Sequence, residues 1–351
     1  MENYSQVLES DLENIVCRLD DINLLKNTSI LVTGATGFLG SIFIKTILLA
    51  DEKYSLGVKI VGIVRDKNKI KKVFNDKLID KIVFFDDWNG LKDISFDFIM
   101  HAAAPTQSSY FISFPVETLD SMMIGIHQVL ELAKQNNNCR VVYLSSMEQY
   151  GIPYENGAFM NEQSIGVIDH LTPRSSYSLG KRVCECYCSA YATEYDVDVK
   201  IARLSQTFGP GVSLTDNRVF MQFARSVIKN ESIILHTDGS SVSNFCYITD
   251  AICGIFFILF LGKKGEAYNI CNDKETRTIK EIAEMVSGKV ASGKIKVEYD
   301  IPTESNYGYA PTVNMFLCSD KLKSLGWKAE VSMEKAYERL VCYLKEIESF
   351  Q

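Results

Sequence analysis

The chain has 351 residues, of which 46% are hydrophobic and 23% charged, with a formal net charge of −7. That supplies a sizeable core, in one large domain or two unequal ones sharing an interface. The acidic balance, without clustered Lys and Arg, argues against nucleic acid as a partner. The 10 cysteines form no spacing framework, residues 1–25 carry no leader pattern, and the longest apolar run, Gly254 to Leu261, is too short to span a bilayer. A cytoplasmic location without membrane contact is expected, because so many unpaired thiols suit a reducing compartment. Cys184, Cys186 and Cys188 fall on a predicted helix, where 184 and 188 share a face and 186 points away. They are read as reduced, partly buried thiols, and no metal site is expected.

Residues 1–26 form an N-terminal extension, with helical spacing over 4–25 (Val7, Leu8, Leu12, Ile15, Val16, Leu19, Ile22, Leu24). An apolar strand, Ile30 to Val32, then ends in Gly34, Gly37 and Gly40, and a helical pattern follows (Ile42, Ile44, Ile47, Leu48). A sharp strand-to-helix turn needs a residue tolerant of unusual φ at Gly34. A dinucleotide pyrophosphate needs backbone N–H groups brought close, with no Cβ in the way at Gly37 or Gly40. The spacing G-x-x-G-x-x-G is a relative of the usual fingerprint, and Thr36, Phe38 and Leu39 complete the candidate cofactor turn.

A second strand, Lys59 onward, runs to Arg65-Asp66. An acid there accepts from the ribose 2′-OH of NAD, whereas an arginine suits the 2′-phosphate of NADP. Arg65 leans toward NADP, and the adjacent Asp66 keeps NAD open. A third strand, 81–85, ends in Asp86-Asp87, a candidate acceptor for the adenine amino group. The fourth, 96–101, runs into Ala102, Ala103 and Ala104, small residues that let backbone lie against a flat ligand. His101 is read as a packing and hydrogen-bonding residue. A helix over 117–136 and a fifth strand, Arg140 to Ser146, complete the alternation. Strands alternating with helices predict an α/β fold, a Rossmann-type doubly wound parallel sheet with ligands at the carboxyl ends of its strands.

Ser146 and Glu148 lie at the end of the fifth strand, and Tyr177 and Lys181 are four apart on a predicted helix, sharing a face. A Lys⁺ and a cationic nicotinamide both favour a phenolate. Tyr177 then takes a proton from a substrate hydroxyl while hydride leaves the carbon. Ser146 hydrogen-bonds the same oxygen.

At this point the chain resembles the extended short-chain dehydrogenase/reductases, in their nucleotide-sugar epimerase/dehydratase/decarboxylase group. The resemblance runs from about Ser29 to Trp327. It rests on Thr33-Gly-Ala-Thr-Gly-Phe-Leu-Gly40, His101 to Ala104, Leu144 to Gly151, Tyr177 with Lys181, Phe208-Gly-Pro210, Phe245 to Asp250 and Leu325-Gly-Trp327. The blocks Pro173 to Arg182 and Phe208 to Val219 look most like UDP-glucuronate decarboxylases. The resemblance implies a tightly held NAD or NADP that oxidises a nucleoside-diphosphate sugar at C4, a homodimer seamed by two long helices (117–136 and 177–195), and Glu148 as second-step acid/base.

Three positions depart from the family pattern. Met147 stands where 4,6-dehydratases carry an acid, Gln206 replaces an Asn that approaches the substrate, and Ser243 replaces an Arg that binds the diphosphate. Arg218 and Arg225, on a predicted helix, are candidate substitutes or solvated charges.

The remaining chain reads as helices at 217–230, 250–261, 278–290 and 332–347, with a strand at 267–270. The cofactor domain is expected over 27–205, with 245–272 returning to it, and a mainly substrate-binding region over 206–351. A linker with Pro302, Gly308 and Pro311 contains Tyr307 to Pro311, read as a loop over the base or a packed turn. A net NADPH-dependent carbonyl reductase on the same scaffold remains an alternative. A non-catalytic nucleotide-binding module has no use for Ser146, Tyr177 and Lys181 together.

Overall fold

The computed structural model describes residues 5–136, 138–301 and 314–348. Pro302, Gly308 and the Tyr307 to Pro311 segment therefore lie outside the described residues. The strands are β1 Ser29–Thr33, β2 Lys59–Ile63, β3 Ile82–Phe85, β4 Phe98–His101, β5 Arg140–Ser146, β6 Ala158–Met160, β7 Asp198–Leu204 and β8 Gln206–Phe208. They continue with β9 Ile233–Leu235, β10 Val242–Ser243, β11 Phe245–Tyr247, β12 Ala267–Ile270, β13 Arg277–Thr278, β14 Val297–Tyr299 and β15 Met315–Leu317. Seven of them form one parallel sheet in the order β12-β7-β5-β4-β1-β2-β3.

Helices cover both faces, which is why the strands read as apolar runs. Alternate side chains feed separate cores: Ile30, Val32 and Met100 on one face, Leu31, Ile99 and Val141 on the other. On the first face lie α1 (Gln6–Cys17), α2 (Phe38–Tyr54) and, after the short turns α3 (Ile70–Val73) and α4 (Asp76–Ile79), the later α9 (Ile248–Leu261), with α8 (Val219–Lys229) joining the same apolar core. The second face takes α5 (Ser108–Ser113), α6 (Pro115–Gln135) and α7 (Ser175–Glu194). Beyond Thr249 and Asp250 in its first turn α9 is apolar, because it is buried along nearly its whole length, with Phe256 stacked on Phe43 at 4.3 Å between ring centroids.

β7 is a strand that the sequence reading passes over. Its run Asp198-Val-Lys-Ile-Ala-Arg-Leu204 is interrupted by two cations, yet Lys200 is 2% exposed and bonds Asp198 at 2.7 Å. The expected helix over 278–290 is α10 (Ile279–Met285), started by a Thr278–Glu281 capping box and ending in a π turn over Val286–Val290. The chain closes with α11 (Asp320–Lys323) and α12 (Met333–Glu348).

The N-terminal extension is α1 followed by a 3₁₀ segment, Asp20–Leu25, rather than one helix over 4–25. Charge ties it to the rest of the chain. Arg18 donates to Asp250 at 2.7 Å, and Asp250 also accepts from the backbone N–H groups of Glu330 and Val331. Asp11 accepts from Tyr247 and pairs with Arg339 of α12, each at 2.6 Å, and burial pushes its carboxyl up to about 6 against those two partners. Asp250 is fully buried, so Arg18→Ala would leave its charge uncompensated. The expected loss is about 3–5 kcal/mol in urea unfolding; a loss within the range of an exposed pair, about 1 kcal/mol or less, would show that the extension is not an integral part of the fold.

Candidate active site

The turn between β1 and α2 is built for close approach. Gly34 has φ +68°, and a Cβ there would meet the Ala103 nitrogen at 3.0 Å. A Cβ on Gly40 would lie 2.3 Å from the Gly34 carbonyl oxygen, so only glycine lets the helix start against the turn. Gly37 is the N-cap and brings no side-chain acceptor to the first turn of α2, leaving the N–H groups at its start for an anion. Thr36, Phe38 and Leu39 are half-buried around this opening. Thr33 Oγ1 accepts from Ala103 at 3.2 Å and sits 2.6 Å from His101 Nδ1, which fixes Ala102 to Ala104 beside the glycines. Burial and the nearby Lys181 charge push His101 down to about 3, so it is a neutral packing group. A shape that no Cβ can enter, lined by free backbone donors, fits a dinucleotide.

The other half of the site lies at the carboxyl end of β5, whose last residue, Ser146, is in register with Leu204 of β7. Tyr177, Lys181 and Glu185 recur at four-residue spacing on α7 and so face one way. Tyr177 is 7% exposed, with Ser146 near enough to act on its phenol. Lys181 is buried and donates to the Leu144 carbonyl at 2.6 Å. Glu185 accepts from Ser145 and takes a forked pair from Arg203, with the shortest contact 2.6 Å. Arg203 also bonds Tyr150 Oη and the Glu162 carbonyl, both at 2.8 Å. Arg182 holds the strand-end loop through the carbonyls of Gln149, Tyr150 and Gly166. Glu148 is exposed and accepts from Ser178 at 3.3 Å.

One electrostatic expectation is corrected. Burial pushes the Tyr177 phenol well above its ordinary value; the Ser146 hydrogen bond and the Arg218 charge pull it down, and Glu148 pushes it up. Lys181 is not among these influences. Its ammonium is turned to Leu144, 5.6 Å from the Tyr177 ring centroid, and burial pushes it down to about 8 against the charge of Glu185. The protein's own groups therefore keep Tyr177 protonated.

The candidate substrate residues separate. Gln206 is half-buried on β8, beside Phe245 of β11. Ser243 is in β10, and its side chain lies outside the described residues. Arg218 is not on a helix: it is the N-cap of α8 and forks onto Asp216, with the shortest contact 2.7 Å. Arg225 is on α8 but is committed to the carbonyls of Leu214 and Asp216. The sequence reading missed Arg277, which β13 places directly opposite Ser243. Only the antiparallel register reveals that pairing. Arg65 and Asp86 lie at the far edge of the sheet, and Asp86 is paired with Lys67 at 2.7 Å. Of the three helix thiols, Cys184 and Cys188 are buried and Cys186 exposed.

A glycine turn and a Ser–Tyr–Lys group along the carboxyl edge of one doubly wound sheet are how nicotinamide-dependent dehydrogenases hold cofactor and substrate together. The family match is specific: residues 30–271 fit the NAD dependent epimerase/dehydratase family, and the chain belongs to it. It is an NAD(P)-dependent enzyme of that type. It is 28% identical over 309 residues to UDP-glucuronic acid decarboxylase 6 of Arabidopsis thaliana, covering 88% of this chain and 86% of that protein. UDP-glucuronic acid decarboxylase 1 of Danio rerio is 32% identical over 199 residues, 57% of this chain and 46% of that protein. A crystal structure of UDP-glucuronic acid 4-epimerase from Bacillus cereus, in complex with UDP-glucuronic acid and NAD, superposes with a TM-score of 0.73 at 22% identity, covering 92% of this chain and 100% of that one. No helix among the described residues is long and apolar enough to cross a membrane.

Gly40→Ala tests the cradle. The turn must open to admit the methyl, so the purified variant is expected to lose bound NAD(P) while keeping its circular dichroism. Retention of cofactor at the wild-type level would place the pyrophosphate elsewhere.

Proposed function

We propose that the protein acts on a nucleoside-diphosphate sugar by transient oxidation at C4, with decarboxylation of a uronic acid sugar as the outcome best supported. The observation that carries this reading is the convergence of Ser146, Tyr177 and Lys181 on the strand end next to the glycine cradle. Bound NAD(P) supplies the acceptor for the hydrogen leaving C4 and returns it at the end. Tyr177 Oη takes the hydroxyl proton as the C4 carbonyl forms, and Ser146 hydrogen-bonds the same oxygen. Lys181, anchored on Leu144, holds α7 in place and contributes positive charge to the cofactor pocket.

A ketone at C4 acidifies neighbouring C–H bonds and makes a C6 carboxylate a β-keto acid. The C5–C6 bond then breaks with its electron pair moving toward the C4 oxygen, releasing CO₂. Glu148 is assigned the proton traffic at the neighbouring carbon. Met147 offers no acid for a 4,6-elimination, which disfavours dehydration, and the relatives named decarboxylases support the uronic acid substrate. Arg277, opposite Ser243, is assigned the diphosphate charge on its position; like Arg218 it is forked onto a neighbouring acid, Glu275, at 3.0 Å. The route from the base to this cation is short in topology: Ser146 pairs with Leu204, the Gln206 N–H donates to the Asn244 carbonyl at 3.0 Å, and Ser243 faces Arg277.

A second reading, net reduction of a carbonyl by NADPH, is favoured by the exposed Arg65 alone. A homodimer is also proposed: Tyr110, Ile112, Phe114, Val116 and Ile124, all exposed, project from α5, α6 and the turn between them.

Product masses from a panel of nucleotide sugars test the reading. Loss of CO₂ without consumption of added cofactor is expected; stoichiometric NADPH consumption would instead make the enzyme a reductase. Tyr177→Phe should lower turnover about 10²–10⁴-fold while cofactor still binds, and unchanged turnover would contradict the assignment. Arg277→Ala should raise KM for the nucleotide sugar about tenfold, with kcat little changed; an unchanged KM would remove Arg277 from the diphosphate site.

A further inference from the structure

The second face of the sheet carries its helices unevenly. α7 packs on β5 and β7, and beyond it, toward the edge strand β12, residues 162–166 take the place of a helix. Arg203 of β7 donates to the Glu162 carbonyl at 2.8 Å, and the Asn269 N–H of β12 donates to the Glu162 carboxylate at 2.7 Å, which pins that segment over the two strands. An irregular segment fills less space than a helix, and a cavity of about 520 Å³ remains between it, α7 and the sheet. Ser146, Tyr177 and Lys181 do not line this cavity.

Arg182 of α7 does line it, and is half-buried. Its Nε and Nη2 donate to the carbonyls of Gln149, Tyr150 and Gly166 at 2.7 to 3.2 Å. Its Nη1 has no partner among the described residues, and the guanidinium makes no ion pair there. The acids of the lining are engaged elsewhere, Glu185 with Arg203 and Ser145, and Glu162 with the edge of β12. Burial pulls the Arg182 guanidinium below its ordinary value; the Glu185 charge opposes that shift and the like charge of Arg203 adds to it. A cation withdrawn from water normally has an anion beside it.

Gln149, also in the lining, is 4% exposed, and its Nε2 makes no hydrogen bond among the described residues. Buried amide donors are ordinarily satisfied. Two unused donors, one of them cationic, thus border the same space. Its apolar part is Ile201, buried on β7, with Ile165 and Tyr154, both exposed.

We propose that this cavity is a second ligand site, separate from the catalytic group, and that it takes a small monocarboxylate with an apolar body. The carboxylate accepts from Arg182 Nη1 and Gln149 Nε2, both charge-assisted bonds. The apolar body lies on Ile201, between Ile165 and Tyr154. Glu162 and Glu185 in the same lining repel a second negative charge, which disfavours a dianion such as a phosphate monoester. Arg182 also holds the Gln149 and Tyr150 carbonyls, so the site adjoins the loop that carries Glu148. It needs neither the cofactor nor the sugar of the reaction proposed above.

The test uses the full chain and hydrocinnamate as probe, with the uncharged hydrocinnamyl alcohol as control, both followed by ligand NMR. Hydrocinnamate should bind with a Kd of about 1 mM or tighter, and the alcohol at least about tenfold more weakly. Saturating UDP and NAD(P) should not displace it. Cys186, exposed and in the lining, marks the place. At ten times Kd, hydrocinnamate should slow alkylation of Cys186 by iodoacetamide at least about threefold. Cys17 and Cys342, exposed on α1 and α12, should react as before. Ser189→Trp, which fills the cavity from an exposed position on α7, should abolish binding. No binding at about 10 mM, ten times the weakest affinity expected, would overturn the proposal. So would equal binding of the alcohol, displacement by UDP, or a Cys186 that is not selectively protected. If Ser189→Trp does not fold, the alkylation pattern of the wild type decides alone; if it folds and binds undiminished, the site lies elsewhere.

Discussion

The geometry of the catalytic edge depends on a buried ion pair. Arg203 projects from β7 and Glu185 from α7, and their forked contact is nearly dry. Ser145 of β5 adds a hydrogen bond to the same carboxylate. One turn earlier on α7, Lys181 caps the Leu144 carbonyl, and one turn before that lies Tyr177. Two of three side chains at four-residue spacing, Lys181 and Glu185, thus clamp one helix to the ends of two adjacent strands. Breaking such a pair from one side leaves an uncompensated charge, a penalty of about 3–5 kcal/mol, so α7 has little freedom to shift. Only the first of the three, Tyr177, is left to meet a substrate.

The electrostatics of that phenol follow from burial rather than from its lysine neighbour. A protonated Tyr177 is the resting form that the protein's own groups support. Its acidity therefore rises only when the cofactor's positive charge enters the same low-dielectric space, where charge is felt strongly. That couples proton removal to the presence of the cofactor, a useful property for an enzyme that must not deprotonate a sugar it cannot oxidise. Lys181 serves first as an anchor, since its hydrogen bond goes to backbone.

Much of this was legible in the sequence, for identifiable reasons. The glycine spacing and the apolar runs of the first five strands announced the sheet, because strands buried on both faces need no polar alternation. Tyr177 and Lys181 were visible as a helical pair. β7 was not, because Lys200 and Arg203 interrupt its apolar pattern; Lys200 pairs with Asp198 two residues back on the same strand, and Arg203 with Glu185, which only tertiary structure brings to it. Arg277 escaped for a related reason, since its place opposite Ser243 is a matter of register between segments more than thirty residues apart. The commitment of Arg218 to Asp216 was likewise hidden, although the two are close neighbours in the chain. Sequence patterns report burial and period well, and report which charges find each other poorly.

The central claim is that C4 of the sugar is oxidised beside Tyr177 and restored before release. The most direct measurement uses the nucleotide sugar that reacts, carrying deuterium at C4, under single-turnover conditions. The account predicts slower reaction of the labelled sugar, with the deuterium recovered at C4 of the product and no added cofactor consumed. Reaction at the same rate as the unlabelled sugar, or loss of the label to solvent, would contradict it.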